Sequence, residues 1–164
     1  MTTPFLIRIA TLADAPTIAR HRADMFRDIG TLPDALYSSM IDATRRYLET
    51  AMPTGEYVGW LAAPATEPER VIAGIGVQLR AVLPHMGPDA HALAFGPDGF
   101  VVNVFTERSW RRRGVAKQLM RQLLEWAPRH GVNRLALHAS REGRLLYDQL
   151  GFVSTNEMRW TSGS

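Results

Sequence analysis

Residues 111–116 read RRRGVA and combine basic side chains with a glycine directly before a helical pattern. The first backbone N–H groups of a helix have no partner within the helix and carry the positive end of its dipole. A phosphate group placed there is therefore bound by several donors at once. Gly114 removes a side chain where the phosphate must approach, and Ala116 keeps the next contact small. The segment predicts a site for a phosphate-containing ligand.

Positive charge is concentrated around the same turn, although the net charge of the whole chain is only +3. Six of the nineteen Lys and Arg residues are Arg108, Arg111, Arg112, Arg113, Lys117 and Arg121, with no acidic residue among them. An exposed arginine run at a helix start would explain the cluster without any ligand. The alternative, which we prefer, is that an anionic group docks there.

Two blocks of residues resemble the signature of the GNAT superfamily, whose members are acyl-coenzyme A-dependent N-acyltransferases. Arg111, Gly114 and Ala116 match the pattern Arg or Gln, two residues, Gly, one residue, Gly or Ala, which follows a central strand. A second family pattern is Asn, two residues, Ala, three residues, Tyr, three residues, Gly-Phe. It is represented here, with Ser for Asn and Gly for Ala, by Ser140, Gly143, Tyr147, Gly151 and Phe152.

The resemblance implies a fold and a coenzyme site. The implied fold class is α/β (α+β): a mixed, mostly antiparallel central sheet with helices on both faces and a splayed parallel pair of central strands. The turn would bind the coenzyme A pyrophosphate, and the strand before it would pair its main chain with the pantetheine arm. The implied coenzyme contacts are Val104, Phe105, Thr106, Arg111, Arg112, Arg113, Gly114, Val115, Ala116, Lys117 and Ser140.

Amide formation requires a group that removes a proton, because an alkyl amine is almost wholly protonated at neutral pH. Glu107 is our leading candidate, since it follows the predicted pantetheine strand by one residue. The alternative is that Glu107 only pairs with an arginine of the next turn. Asp98, His85 and His91 are lesser candidates for the same role.

Departure of coenzyme A as a thiolate asks for a proton donor, and the resemblance implies Tyr147. An ordinary tyrosine has a pKa near 10 and can donate at neutral pH. The alternative is that Tyr147 only packs beside Leu146 and Leu150. The chain has no cysteine and no evident Ser-His-Asp spacing, which favours direct attack of the amine on the thioester over an acyl-enzyme intermediate.

Length and composition limit the number of domains, the kinds of cofactor and the kinds of partner that we expect. The 164 residues predict a single domain over 1–164, and 46% apolar with 21% charged residues provide a core and a surface. We expect no metal, since the five histidines lack ligand spacing and there is no cysteine. No apolar run approaches the roughly 18 residues of a membrane span, and the start lacks a signal-peptide pattern. We therefore expect a cytoplasmic protein without a membrane partner.

Hydrophobic periodicity predicts an alternation of strands and helices. The predicted elements are a strand at 6–9 within the apolar stretch 5–9, a helix from the Thr11 and Asp14 capping box to Phe26, a helix at 34–50, strands at 57–63 and 70–79, a working loop at 81–98, a strand at 100–106, a helix at 115–126, a strand at 133–139, a helix at 141–150 capped by Ser140, and a strand at 152–160. The strands at 57–63 and 70–79 should form a hairpin, and those at 100–106 and 133–139 should be parallel. His138 is expected in the core.

These observations predict an N-acetyltransferase that moves an acetyl group from acetyl-coenzyme A to a primary amine of a small molecule or peptide. One alternative is a coenzyme-binding sensor without catalysis. A weaker one is a nucleic-acid-binding module, for which the sequence offers no helix-turn-helix, zinc finger or aromatic single-strand surface. We expect no nucleic-acid partner. The resemblance also allows a homodimer, and the acceptor is expected to be selected by the second helix and the 81–98 loop.

Overall fold

A five-stranded mixed sheet forms the centre of the protein, described here for residues 4–163 of a computed structural model. In chain order the elements are β1 (Phe5–Ile9), α1 (Ala15–Ile29), α2 (Tyr37–Thr54), β2 (Tyr57–Pro64), β3 (Ala73–Arg80), β4 (His85–Met86), β5 (Leu93–Ala94), β6 (Asp98–Thr106), α3 (Val115–Arg129), β7 (Leu135–Leu137) and α4 (Arg144–Gln149). The sheet order is β1-β2-β3-β6-β7, and only β6 and β7 are parallel. The predicted fold class, the β2–β3 hairpin and the parallel pair are confirmed.

Helices cover both faces of the sheet, each against its own apolar layer. On one face, α1 and α2 pack on β2 and β6 through Ala15, Ile18, Leu48, Ala51, Tyr57, Leu61 and Val102. On the other face, α3 packs through Val115, Leu119, Met120 and Leu123 against Trp60, Ile75, Val77 and Val101. The heptad-like spacing of the α3 residues explains this packing, because positions three and four apart share one side of a helix. β6 is therefore covered on both faces.

The structure confirms the predicted start of α1 and shifts the bounds of α2. Before α1, the Asp14 carboxylate accepts a hydrogen bond from the Thr11 backbone amide at 2.8 Å, as the predicted capping box requires. α2 is shifted from its predicted position, since residues 34–36 form a 3₁₀ turn and the helix continues through Pro53 to Thr54. Its buried row is Thr44, Leu48 and Ala51.

A β-bulge interrupts β6 at its centre. Gly76 of β3 pairs with Val102 and Gly74 pairs with Phe105, so that Asn103 and Val104 together oppose the single residue between the two glycines. The bulge places two consecutive side chains on one face. Val102 and Asn103 both face the α1–α2 layer, whereas Val104 packs into the α3 layer. Asn103 adopts a positive φ of 55° at this point.

The parallel pairing of β6 with β7 stops where the bulge begins. The paired residues are Gly99 with Leu135, Phe100 with Ala136 and Val101 with Leu137. Gly99 allows the close approach, because a Cβ atom there would lie 2.5 Å from the Leu135 side chain. Beyond Val101 the bulged strand diverges from β7, and the sheet splays apart as the resemblance implied.

The C-terminal segment departs from the sequence-based prediction in three places. The strand predicted at 152–160 is wrong: residues 152–163 have no regular secondary structure, and a gap of about 430 Å³ lies between them and β7. Four consecutive polar residues at 154–157 leave that segment no apolar face to bury, and the three-residue β7 offers it little backbone to pair with. The strand predicted at 133–139 is shorter in the structure, where only β7 (Leu135–Leu137) forms, because β6 diverges from it beyond Val101.

The third departure concerns residues 138–143. His138 is not in the core but half-exposed, with the Arg159 guanidinium against its ring and Glu157 at 3.4 Å, because it lies just past the last residue that pairs with β6. The last helix begins at Arg144 rather than 141, since residues 141–143 form a turn. The loop at 81–98 contains the two-residue strands β4 and β5. Within residues 4–163 no helix has the length and apolarity needed to cross a membrane.

Candidate active site

The turn before α3 presents unpaired backbone donors. Gly114 is the N-cap residue of α3 and has a φ of 81°. Among the residues described, none accepts a hydrogen bond from the backbone amides of residues 112–117. A Cβ atom on Gly114 would meet no atom within 4 Å outside its chain neighbours, so the space beside this glycine is open. Unpaired amides at a helix start are donors that a phosphate-containing group could use, and the phosphate site stays a prediction.

Arg111 braces this turn instead of standing free. Its Nε atom donates to the carbonyl oxygen of Thr106 at 2.9 Å, and its guanidinium also binds Asp28 on α1. Arg108 donates to the same carboxylate at 2.7 Å. Although burial raises the pKa of Asp28, the hydrogen bonds from Arg111 and Arg108 lower it below its ordinary value overall. Two of the six clustered charges are thus committed to one carboxylate.

The other predicted contacts of the turn lie around the open amides. Arg112 is exposed and has a positive φ of 61°. The guanidinium of Arg113 lies 4.8 Å from the centre of the Trp110 ring. Val115 is buried in the α3 layer, Ala116 is half-buried, and the Lys117 ammonium approaches Gln149 of α4 at 3.5 Å. Val115 therefore packs in the core, whereas the side chains of Arg112, Arg113 and Lys117 lie at the surface of the turn and of the first turn of α3.

β6 has an open edge next to the turn. On one side Phe105 and Thr106 pair with β3, and Val104 lies in the bulge. On the other side, no strand of the described chain pairs with residues 102–106. The Thr106 carbonyl is occupied by Arg111, which leaves Val104 and Phe105 as the predicted contacts with no such side-chain partner. The edge can receive an extended ligand arm through main-chain hydrogen bonds.

Tyr147 of α4 is a buried residue of the α3 layer, with 8% of its surface exposed. Burial raises the pKa of its hydroxyl. The Tyr147 ring lies where a Cβ atom on Gly143 would stand, at 2.9 Å, so this glycine makes room for the tyrosine. Ser140 Oγ accepts a hydrogen bond from the Gly143 amide at 3.1 Å and caps the turn. The packing and the donor interpretations of Tyr147 are compatible.

The candidate bases lie in separate places. Glu107 follows the open edge, with a carboxylate oxygen 3.7 Å from Arg70 and no hydrogen bond to Tyr147. Asp98, at the other end of β6, is buried and accepts a hydrogen bond from Arg134 at 2.7 Å. His85 and His91 belong to the β4–β5 hairpin, and their hydrogen bonds are to residues of the same loop. In the described residues, no three His, Asp or Glu side chains are grouped as metal ligands.

A cavity of about 290 Å³ lies between the sheet and the α1–α2 layer, beside the bulge. Its lining residues are Arg22, Met40, Ala43, Thr44, Tyr47, Leu48, Tyr57, Gln78, Val102 and Asn103. Arg22, Tyr57 and Asn103 were not predicted as site residues from the sequence. Asn103 carried a usable signal, because it is the one polar side chain within the otherwise apolar run FVVNVF.

Polar groups in this cavity form a short hydrogen-bonded chain. Arg22 donates to Asn103 Oδ1 at 2.7 Å, and Asn103 Nδ2 donates to the Tyr57 hydroxyl at 3.3 Å. In the same cavity, Gln78, the cross-strand partner of Tyr57, donates to the Tyr47 hydroxyl at 2.9 Å. Burial raises the pKa of Tyr57 to about 12, so its hydroxyl stays protonated and neutral. The cavity can bind a small polar ligand.

Comparisons with known proteins agree with this architecture. The family model described as the acetyltransferase (GNAT) family matches residues 15–152. A GCN5-related N-acetyltransferase from Ralstonia eutropha JMP134 superposes with a TM-score of 0.81 at 28% identity, over 97% of this chain and 99% of that one. A predicted acetyltransferase from Clostridium acetobutylicum, solved with acetyl-CoA, gives a TM-score of 0.79 at 22% identity over 97% and 96%.

A third similar structure is the glucosamine-6-phosphate N-acetyltransferase from Arabidopsis thaliana, with a TM-score of 0.67 at 16% identity over 98% of this chain and 99% of that one. At such identities the two lower-identity structures support the fold alone. No curated protein sequence matches the chain.

Proposed function

The chain belongs to the acetyltransferase (GNAT) family, and from this premise we propose that it transfers an acetyl group from acetyl-coenzyme A to a primary amine by direct attack. The thioester of acetyl-coenzyme A supplies the activated acyl group. The products are an N-acetyl amide and free coenzyme A. A protonated amine loses two protons in becoming the amide, so one proton is released to water and the other is balanced by protonation of the departing sulfur.

The observation that carries the proposal is the open turn at Gly114 beside the open edge of β6. Six consecutive backbone amides, from residue 112 to 117, have no acceptor in the described structure, and the last four of them, at residues 114–117, carry the positive end of the α3 dipole. Arg112, Arg113 and Lys117 add positive charge. The same turn is held against β6 by the Arg111–Thr106 bond. Residues 112–117 would hold the diphosphate, and residues 104 and 105 would hold the pantetheine arm.

The 290 Å³ cavity is the proposed acceptor site, because Val102 and Asn103 belong both to its wall and to the start of the open edge. An amine bound there would lie beside the strand that holds the acyl donor. Holding two reactants side by side removes much of the entropic cost of a bimolecular reaction. The bulge would thereby link the two half-sites.

Two side chains are proposed for the proton transfers. Glu107, directly after the open edge, would remove the amine proton, either itself or through a water molecule, after loosening its contact with Arg70. Tyr147 would donate a proton to the sulfur. The burial that raises the pKa of Tyr147 keeps its hydroxyl protonated at neutral pH.

Calorimetry with acetyl-coenzyme A and a thiol-release assay with a panel of primary amines test this function. Because the chain contains no cysteine, a thiol-reactive dye reports only released coenzyme A. Saturable binding together with amine-dependent thiol release would support the proposal. Absence of binding at millimolar coenzyme would refute it, and binding without thiol release with any amine would favour the sensor alternative.

A further inference from the structure

Among residues 4–163, Arg22 is the only charged residue that lines the proposed acceptor cavity. It lies on α1, is half-buried, and points one guanidinium nitrogen at Asn103 Oδ1, a neutral acceptor. Its guanidinium also lies 4.9 Å from the centre of the Phe26 ring. The cavity is therefore positively charged, with otherwise neutral hydrogen-bonding and apolar walls.

No carboxylate within residues 4–163 forms an ion pair with Arg22. The acidic residues of its own helix are engaged elsewhere. Asp24 accepts a hydrogen bond from the Tyr37 hydroxyl at 2.7 Å, and Asp28 binds Arg108 and Arg111. A guanidinium that is partly withdrawn from water without an anionic partner loses solvation with little return. Binding of an anion to such a group would restore the lost electrostatic stabilisation.

An arginine fork suits an oxyacid group in particular. A guanidinium has five N–H donors in a plane and binds a carboxylate or phosphate through two parallel hydrogen bonds. The contact with Asn103 uses only Nη1, so Nε and Nη2 keep donors available. On the basis of the proposed function, we infer that the acceptor carries an anionic oxygen group, a carboxylate or a phosphate, in addition to its amine, and that Arg22 binds this group.

The dimensions of the cavity restrict the acceptor further. A volume of about 290 Å³ lies at the lower limit of small-molecule sites, which run from about 300 to 1,000 Å³. Met40, Leu48 and Val102 supply apolar walls beside the polar chain. The acceptor class is thus a compact amine with an anionic group a few bonds from its nitrogen.

Matched pairs of amines test the inference. The carboxylate arm compares β-alanine with propylamine, and the phosphate arm compares phosphoethanolamine with ethanolamine. For the wild-type protein, kcat/KM is expected to be about 10- to 100-fold higher for the anionic member of at least one pair, the range of a charge-assisted hydrogen bond. The arm that shows the preference identifies the group.

Variants connect the preference to Arg22. In Arg22→Met the ratio of kcat/KM between the anionic and neutral members should fall towards one, and Arg22→Lys should restore part of it. Arg46→Met removes the same charge from an exposed position of α2 and should keep the wild-type ratio. Melting curves establish that each variant is folded. An unchanged ratio in Arg22→Met would assign the preference to another residue and overturn the inference.

Calorimetric binding of the two anionic amines, with and without coenzyme A, separates this inference from the proposed function. If acetyl-coenzyme A binds but the neutral amines react as well as the anionic ones, the inference fails and the function stands. Anionic amines that neither bind nor react also overturn the inference. If acetyl-coenzyme A does not bind, the proposed function fails, and Arg22-dependent binding of an anionic amine still decides the nature of the cavity.

Discussion

The ring of Tyr57 lies directly over Gly76, so that a Cβ atom on that glycine would stand 2.1 Å from the tyrosine hydroxyl oxygen. Gly59, the cross-strand partner of Gly76, lies beside the same ring. The two glycines leave a bare patch on the sheet, and the buried tyrosine fills it. Tyr57 in turn accepts the hydrogen bond from Asn103 at the bulge. The floor of the proposed acceptor cavity therefore depends on missing side chains.

Replacing Gly76 with alanine should displace Tyr57 and disturb the cavity. Overpacking of this kind destabilises a protein by about 1–3 kcal/mol. We expect a lower melting temperature and a higher KM for the acceptor, with coenzyme affinity unchanged by calorimetry. Gly59→Ala is the matched control, because its Cβ would lie 3.2 Å from the ring and asks for a smaller adjustment. Equal effects of the two variants would contradict this account.

Gly114→Ala should weaken coenzyme binding more than it weakens the fold. The new Cβ would project into the open space before the α3 amides, and the positive φ adds strain of about 1–2 kcal/mol. We expect the Kd for acetyl-coenzyme A to rise at least about tenfold, the equivalent of one displaced charge-assisted hydrogen bond. Calorimetry measures this change.

Gly131→Ala provides the control for backbone strain. Gly131 has a similar φ of 74° and equally open surroundings, but it lies past the C-terminal end of α3, about 22 Å along the helix. It should show a comparable loss of melting temperature with unaltered coenzyme affinity. If both glycine variants bound coenzyme as the wild type does, the turn would not be the diphosphate site.

Tyr147→Phe should slow turnover while coenzyme binding stays near normal. The ring keeps its packing over Gly143, and only the proposed proton donor is lost. Proton donors of this kind contribute about 10² or more to the rate, so kcat should fall by that order. Because burial raises the pKa of Tyr147 above its ordinary value, the wild-type activity should not decline through loss of this proton below about pH 10. Tyr37→Phe, which also removes a hydroxyl, should leave kcat unaffected.

Glu107→Gln distinguishes catalysis from ion pairing. Arg70 contacts two carboxylates, Glu107 at 3.7 Å and Glu67 at 3.6 Å, so Glu67→Gln is a matched removal of the other partner. If Glu107 removes the amine proton, its variant should lose about 10²-fold or more in kcat, whereas Glu67→Gln should remain close to the wild type. Similar small effects in both would leave Glu107 with a structural role alone.

Buried His21 should make the fold sensitive to acid. Burial, reinforced by the charge of Arg20 and opposed by Asp24, lowers the pKa of His21 from 6.5 to about 4 in the folded protein. Between these two values the unfolded chain takes up a proton that the folded chain does not, so stability is intact above pH 6.5 and declines as the pH falls towards 4. The full loss is about 3 kcal/mol.

Denaturant titrations at several pH values measure this slope. His21→Leu should flatten the dependence of stability on pH between 6.5 and 4, because leucine does not titrate. The substitution removes no hydrogen bond from Nε2 of His21, which has no partner within residues 4–163. His91→Leu, at an exposed histidine, should retain the wild-type slope. A slope in His21→Leu as steep as that of the wild type would assign the acid sensitivity to other groups.

Local pattern was sufficient to predict the centre of the fold from the sequence. The run FVVNVF predicted β6 because a strand covered on both faces is apolar throughout, and the amphipathic period predicted α3. The turn at Gly114 followed from a motif confined to six residues. These features depend on neighbours in the chain.

Features that depend on distant parts of the chain were missed. His138, expected in the core, is exposed because β7 ends early. The burial of His21 was not predicted, since it depends on the packing of α1 against Phe105. The proposed acceptor cavity combines Arg22 of α1 with Asn103, 81 positions later. Only the register of β6 on β3, with its bulge, brings these two together.

β6 has one residue more than β3 between the two points at which the strands pair. Side chains on a strand alternate, so deleting one residue there would invert every position from Val104 onward. Phe105 would turn away from His21 and face the α3 layer instead. The segment after β6 would then reach the start of α3 with its side chains pointing the opposite way. Every reactive group of the chain would still be present. An odd or even count of residues, rather than any chemical group, decides which side chains of β6 face the proposed acceptor cavity.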